Sequence, residues 1–194
     1  MGDRGILFLE DLIKSISSRD PVHGWEHIAR VRALCRVIAS RVGGADLEVL
    51  DLAALLHDVG RFIDGSGHHV EASIAFAKKI LGVLGYDEQI VSRVIDAIAG
   101  HSYSYGYEPK TLEGKILSDA DKIDAIGAIG VARSFMLGGI WGRSIGDTMK
   151  HFEEKLLKLY DRLYLEESRR IAAERAEFLK SFYRQLQEEL SVNS

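Results

Sequence analysis

The sequence predicts an all-α fold. Apolar residues recur at three- and four-residue steps along almost its whole length, which is the period of a helix with one buried face. No long segment alternates apolar and polar residues as a half-buried strand does. There are only two prolines, Pro21 and Pro109, and both fall between apolar stripes rather than inside them.

The stripes are taken in chain order. Asp20-Pro21 has the form of an N-cap followed by proline in the first turn, so a helix is expected to begin there and carry Ile28, Val31, Leu34, Cys35 and Ile38. Gly43-Gly44 ends it, and Asp46 is an N-cap for the next helix, which begins at Leu47. Leu52 to Leu56 contains no polar residue, so that helix is expected to be short and deeply buried. Val70, Ile74, Ala77, Ile80 and Leu81 form a further stripe, and Ile90, Val94, Ala97 and Ile98 another. Gly65 to Gly67, Gly82 with Gly85, and Gly100 to Gly106 mark connections. Ser102 to Tyr107, rich in Ser, Gly and Tyr, reads as a loop. Ile123, Ile126 and Ile129 continue an apolar helix that Ser118 or Asp119 is placed to cap. From about Ser144 to Glu189 the chain is dense in Glu, Lys and Arg. Phe178, Phe182 and Leu186 stand there at four-residue steps, beside Leu179 and Tyr183. Two long amphipathic helices are expected, packed back on the N-terminal bundle, with extension of a homodimer interface as the alternative.

With 194 residues and no low-complexity tract, repeat or linker, one domain is expected over 1–194. Its motif-bearing core is about 20–133 and its C-terminal helices about 144–190. A net charge of −4 and a pI near 6.0 give no reason to expect duplex nucleic acid as a partner, and leave room for a small anionic one. No apolar run reaches the roughly 18 residues of a membrane span. The N-terminus MGDRGILFLEDLIKS has neither the apolar stretch nor the cleavage site of a signal peptide, so a cytoplasmic protein is expected. Cys35, the single cysteine, lies among Val31, Leu34, Val37 and Ile38 and reads as a core thiol.

Four segments carry chemistry: HGWEHIARV (23–31), LAALLHDVGR (52–61), the histidines His68-His69 and His101, and LSDADKIDAIGAIGVAR (117–133). His57 and Asp58 end an apolar helix at the edge of the core. A carboxylate buried there is costly unless something positive neutralises it, and imidazole with carboxylate suits Zn, Mn, Fe, Co or Ni. Alternatively, Asp58 simply faces water. His23 and His27 lie four residues apart. Either both chelate one ion, or His27 is a ligand and His23 stands outside at the helix start; the second is favoured. Arg30 follows His27 on the same side. Capping accounts for Asp119 and leaves Asp121 available, with Lys122 beside it.

The order H…HD…D, with Ile-Ala-Arg-Val after the first histidine and the last aspartate inside Asp-Ala-Asp-Lys-Ile-Asp, resembles the HD superfamily of metal-dependent phosphohydrolases from about Asp20 to Arg133. The resemblance implies a helical bundle with a metal in a cleft and His27, His57, Asp58 and Asp121 as its ligands. The cofactor is then a divalent cation (Mn, Fe, Co, Ni, Zn or Mg), and the substrate a phosphomonoester or phosphodiester, with a nucleotide as the leading class. Lys122, Arg30 and Arg61 are the candidates for phosphate charge, and Asp58 is also placed to orient water. Asp124 is a tether for Lys122, and Arg133 is structural. Some members hold two metals through extra histidines. His69 and His101 lie in the right interval for that, or for a phosphate contact, while His68 and His69 can equally be plain loop residues. Two rival readings are a di-iron oxygenase on the same scaffold and a non-catalytic module that binds metal or nucleotide. No P-loop, dinucleotide fingerprint or nucleophilic serine elbow is present.

Overall fold

The structure is a computed structural model that describes residues 2–17, 19–63 and 67–191. Among them there are ten α-helices, two short 3-10 turns and no strand. No single described helix is long and apolar enough to cross a membrane. The chain divides into two compact units, Met1–Asp121 and Lys122–Ser194.

The first unit opens with α1 (Gly2–Ser17), where the sequence reading had placed no element. Leu9 and Ile13 are its fully buried residues. α2 (Trp25–Val42) starts later than expected: Gly24 stands at its N-cap, and Asp20 instead closes a turn by accepting from Val22 N (2.8 Å) and His23 N (2.7 Å). A β-carbon on Gly24 would stand 2.1 Å from Asp20 O, so the turn and the helix meet too closely for any other residue.

α3 (Leu47–Leu56) is capped by Asp46, whose side chain accepts from Glu48 N and Val49 N. Leu52 to Leu56 are all fully buried, as their composition requires. α1, α2 and α6 (Glu88–His101) pack around α3. α4 (Gly60–Ile63) and α5 (His69–Val83) pack on each other, and α5 packs on α6. Gly65 lies outside the described residues, while Gly67 and Gly85 adopt positive φ at connections. Gly100 is not in a connection but inside α6, where a β-carbon would press on Pro109 at 2.5 Å.

Ion pairs tie the helices together. Arg32 donates to both oxygens of Asp51 (2.6 and 2.5 Å) and to Glu10 (2.5 Å), joining α2, α3 and α1. Arg93 joins Asp46 (2.8 Å) to Glu113 (2.9 Å). Cys35 is buried, and burial pushes its thiol pKa upward, as expected of an inert core residue.

α7 (Leu112–Asp124) corrects a second expectation. Ser118 and Asp119 lie inside it rather than at its cap, and the apolar run breaks after Asp124, with α8 (Gly127–Ile140) starting afresh. Asp119 is fully buried, and Ser118 Oγ donates to Gly100 O at 2.8 Å. A carboxylate that resembles a cap in sequence is here a core group.

In the second unit, α8 packs on α9 (Ile145–Glu154) and on α10 (Glu166–Ser191), with the 3-10 turns Leu156–Lys158 and Tyr160–Arg162 between the last two. Of the two long helices expected from Ser144, only α10 is long. Its buried seam is Ala172, Ala176, Leu179 and Tyr183, while Phe178 is 46% exposed. Phe152, fully buried, gathers the rings of Phe135, Phe182 and Tyr183. Asp124 pairs with Arg133 at 2.7 Å, which makes Arg133 structural, as read from the sequence.

Candidate metal centre

α3 runs out of apolar residues at Leu56, and the next two residues turn their side chains into the first unit. His57 is fully buried at the C-cap, and Asp58 is 2% exposed. His57 Nδ1 lies 2.8 Å from Ala54 O, and His101 Nδ1 lies 2.6 Å from Ile98 O. A carbonyl only accepts, so each Nδ1 carries a hydrogen, and in the neutral ring Nε2 presents a bare lone pair. Burial pushes the His57 pKa down to about 4, so the ring is neutral at pH 7.

These lone pairs converge. His27 Nε2 stands 3.3 Å from His57 Nε2 and 3.4 Å from Asp121 Oδ1. The three side chains form one set whose facing atoms lie within 4.8 Å of one another. A second set, Asp58, His69 and His101, meets the same limit. Asp58 faces both. Its Oδ2 lies 3.7 Å from His27 Nε2 and 3.9 Å from His57 Nε2, and its Oδ1 lies 3.3 Å from His69 Nε2 and 3.5 Å from His101 Nε2. The rings run in sequence from His27 to His57, His101 and His69, with centroids 5.4, 5.0 and 5.6 Å apart.

The charge balance favours a cation. Burial alone would raise the Asp58 carboxyl pKa, but Arg61, His57 and His101 outweigh burial and hold it well below the ordinary value. Asp121, 27% exposed, is likewise lowered against burial by His27, His101 and His57. Asp58 Oδ1 is buried with no hydrogen-bond partner. A buried ionised oxygen facing two imidazole nitrogens is costly in this state and well served by a divalent ion. The donor set therefore fits the cation that the sequence implied.

His27, His57, Asp58, His69, His101 and Asp121 all enter this cluster, whereas His23, His68, Asp119 and Asp124 are in neither set. His23 is 20% exposed, 3.9 Å from Asp20, with its ring 6.2 Å from that of His27. Arg61 forms an ion pair with Asp58 (Nε to Oδ2, 2.8 Å) and donates from Nη2 to His69 Nε2 (3.0 Å). Arg30 is half-buried on α2, one turn after His27. Lys122 is buried, with Nζ 5.2 Å from the centre of the Tyr164 ring.

Sequence reasoning missed four positioning features. His68 caps α5, accepting from Val70 N, and stacks on His69 with ring centroids 4.6 Å apart. Tyr105 of the α6–α7 loop lies 5.0 Å from His68. Ser118 buttresses the end of α6 from α7. Gly60 lets α4 approach α5 so closely that a β-carbon would meet His69 O at 2.1 Å. Only His68 had a local signal, as a polar residue directly before an apolar stripe; the others depend on helix pairing.

The model of the HD domain family matches residues 24–126, more than half of the chain and the segment that carries both triads. This chain belongs to the HD domain family. The YpgQ protein of Bacillus subtilis is 36% identical over 177 residues, covering 87% of this chain and 84% of YpgQ. The crystal structure of YpgQ in complex with ADP superposes with a TM-score of 0.79 at 32% identity, covering 96% of this chain and 95% of that one. The Lin1889 protein of Listeria innocua gives 0.80 at 32% identity over 99% and 98% of the two chains. An HD-superfamily hydrolase of Bacillus thuringiensis gives 0.77 at 31% over 98% and 99%. HD-domain membership and the HD-superfamily hydrolase neighbours make the chain a metal-dependent phosphohydrolase in class, with a divalent cation as cofactor.

Proposed function

We propose that this HD-domain protein hydrolyses a phosphomonoester or phosphodiester of a small phosphorylated substrate, with a nucleotide as the leading class. In this reading His27, His57, Asp121 and Asp58 Oδ2 hold one cation. His69, His101 and Asp58 Oδ1 provide a second position. The observation that carries it is Asp58, whose two buried oxygens divide between two nitrogen-rich triads, one of them with no hydrogen-bond partner.

A bound divalent cation supplies a water of lowered pKa and polarises a phosphoryl oxygen. The chain's own groups do the rest. His57 and His101, each fixed by an Nδ1–H bond to its own helix, keep their Nε2 atoms aimed inward without reorganisation. Asp58, ionised, is placed to accept a hydrogen bond from the attacking water and so orient it. Arg61 is 30% exposed and reaches from Asp58 toward solvent, which suits it to phosphate charge; Arg30 is a second such group. The nucleotide preference rests on family likeness and on YpgQ, a relative whose structure holds ADP.

The test is phosphate release from a panel of nucleotides and simple phosphoesters with Mn, Co, Ni or Mg, in the wild type and in Asp58→Ala. Metal-dependent release that vanishes in Asp58→Ala supports the reading. Metal-dependent release that survives the substitution overturns the ligand assignment. Turnover of non-nucleotide esters alone overturns the nucleotide preference.

A further inference from the structure

Arg61 occupies the place where the second triad and the substrate face meet. It makes an ion pair with Asp58 Oδ2 and a hydrogen bond to His69 Nε2. A guanidinium only donates, so His69 Nε2 is unprotonated here and its single lone pair is already in use. A ring nitrogen with one lone pair cannot accept that hydrogen bond and ligate a cation at the same time.

We propose that Arg61 is a built-in surrogate for the second cation: its charge pairs with Asp58 and it holds the His69 nitrogen that the ion would take, so the His69–His101 position fills only when Arg61 swings away. This rests on the two-triad reading above. The geometry allows the exchange. Arg61 is 30% exposed, whereas Asp58 and His101 are 3% and 2% exposed, so the guanidinium is the member with room to move. Its departure leaves Asp58 Oδ1, His69 Nε2 and His101 Nε2 as three acceptors facing one point with no donor among them. Within the chain, the cation position and the arginine position therefore exclude each other. A substrate phosphate that draws Arg61 outward would open the second position as it arrives.

The experiment is a titration of the metal-free protein with Mn2+, counting free ion by electron paramagnetic resonance. It uses the wild type, Arg61→Gln, Arg61→Ala, His101→Ala and His57→Ala. The wild type is expected to bind one Mn2+ tightly and a second more weakly. Both Arg61 variants are expected to tighten the second ion roughly 10- to 100-fold, the equivalent of the charged hydrogen bond to His69 no longer broken on its entry. His101→Ala should abolish the second ion and keep the first. A second Kd that is unchanged or weaker in both Arg61 variants overturns the role of Arg61. The underlying site is judged separately, since a His57→Ala protein that binds its first Mn2+ as the wild type does overturns the two-triad reading itself.

Discussion

Replacing Asp58 by Asn keeps its volume and removes its charge, so it tests whether this one carboxylate serves both triads. In the wild type at a Mn2+ concentration of about one hundred times Kd, binding to the native state alone stabilises by roughly 2.7 kcal/mol. A chain of 194 residues unfolds with an entropy of about 0.4 kcal/mol/K, taking roughly 2 cal/mol/K per residue. The ion should therefore raise the melting temperature by about 7 °C. The asparagine has one carbonyl oxygen where the carboxylate has two, no net charge, and an NH2 group that cannot ligate. Its oxygen can face His27 and His57 or His69 and His101, but not both pairs. Affinity should fall by at least ~100-fold, beyond what loss of a group supporting a ligand costs. At the same Mn2+ concentration the rise should then shrink to about 1 °C. Arg61, 30% exposed, can turn to water, so the metal-free variant should still fold and melt cooperatively. The assay is differential scanning fluorimetry with and without Mn2+, checked by circular dichroism. A metal-induced rise of about 7 °C in Asp58→Asn would refute the reasoning.

Three further outcomes are expected. The buried His57 has its pKa pushed down to about 4, from 6.5 in the unfolded chain. Below pH 6.5 the unfolded state takes up a proton that the native state refuses, so the metal-free protein should lose up to about 3 kcal/mol as pH falls from 6.5 to 4; His69, pushed down to about 3, acts in the same direction. Urea titrations across that window check the sign, which would be wrong if stability rose. Gly60→Ala would place a β-carbon 2.1 Å from His69 O and 2.8 Å from Ser73 N, both backbone atoms. It should cost about 1–3 kcal/mol and weaken the second Mn2+ more than the first. Asp96 accepts from Tyr107 OH (2.7 Å), Lys110 N (3.2 Å), Thr111 N (3.1 Å) and Thr111 Oγ1 (2.9 Å). Asp96→Ala should therefore speed hydrogen exchange at the Lys110 and Thr111 amides by roughly 10-fold or more, at about 1.5–3 kcal/mol per bond to a charged acceptor. Unchanged exchange would show that other contacts hold the loop.

The sequence by itself determined the helical class, because apolar periodicity is a local property of each segment. It determined the Asp46 cap and the burial of Leu52 to Leu56 for the same reason. It placed His57-Asp58 at the edge of the core, since they follow a stretch with no other polar group, while the rest of the cluster was named by resemblance to the HD superfamily. Local chemistry misled where one residue type serves two ends. Asp20 makes the backbone bonds of a cap but closes a turn before α2, and Asp119 looks like a cap but is a core carboxylate within α7. Only the tertiary structure decided that His69 at the start of α5 and His101 at the end of α6 meet on Asp58 Oδ1. Only it showed that Arg61 already holds the lone pair of His69. The periodicity of a helix states which face is buried. Which atoms then come within 4 Å depends on how closely neighbouring helices approach, and that is settled by side chains far apart in the chain, such as Gly60 against His69 and Ser118 against Gly100.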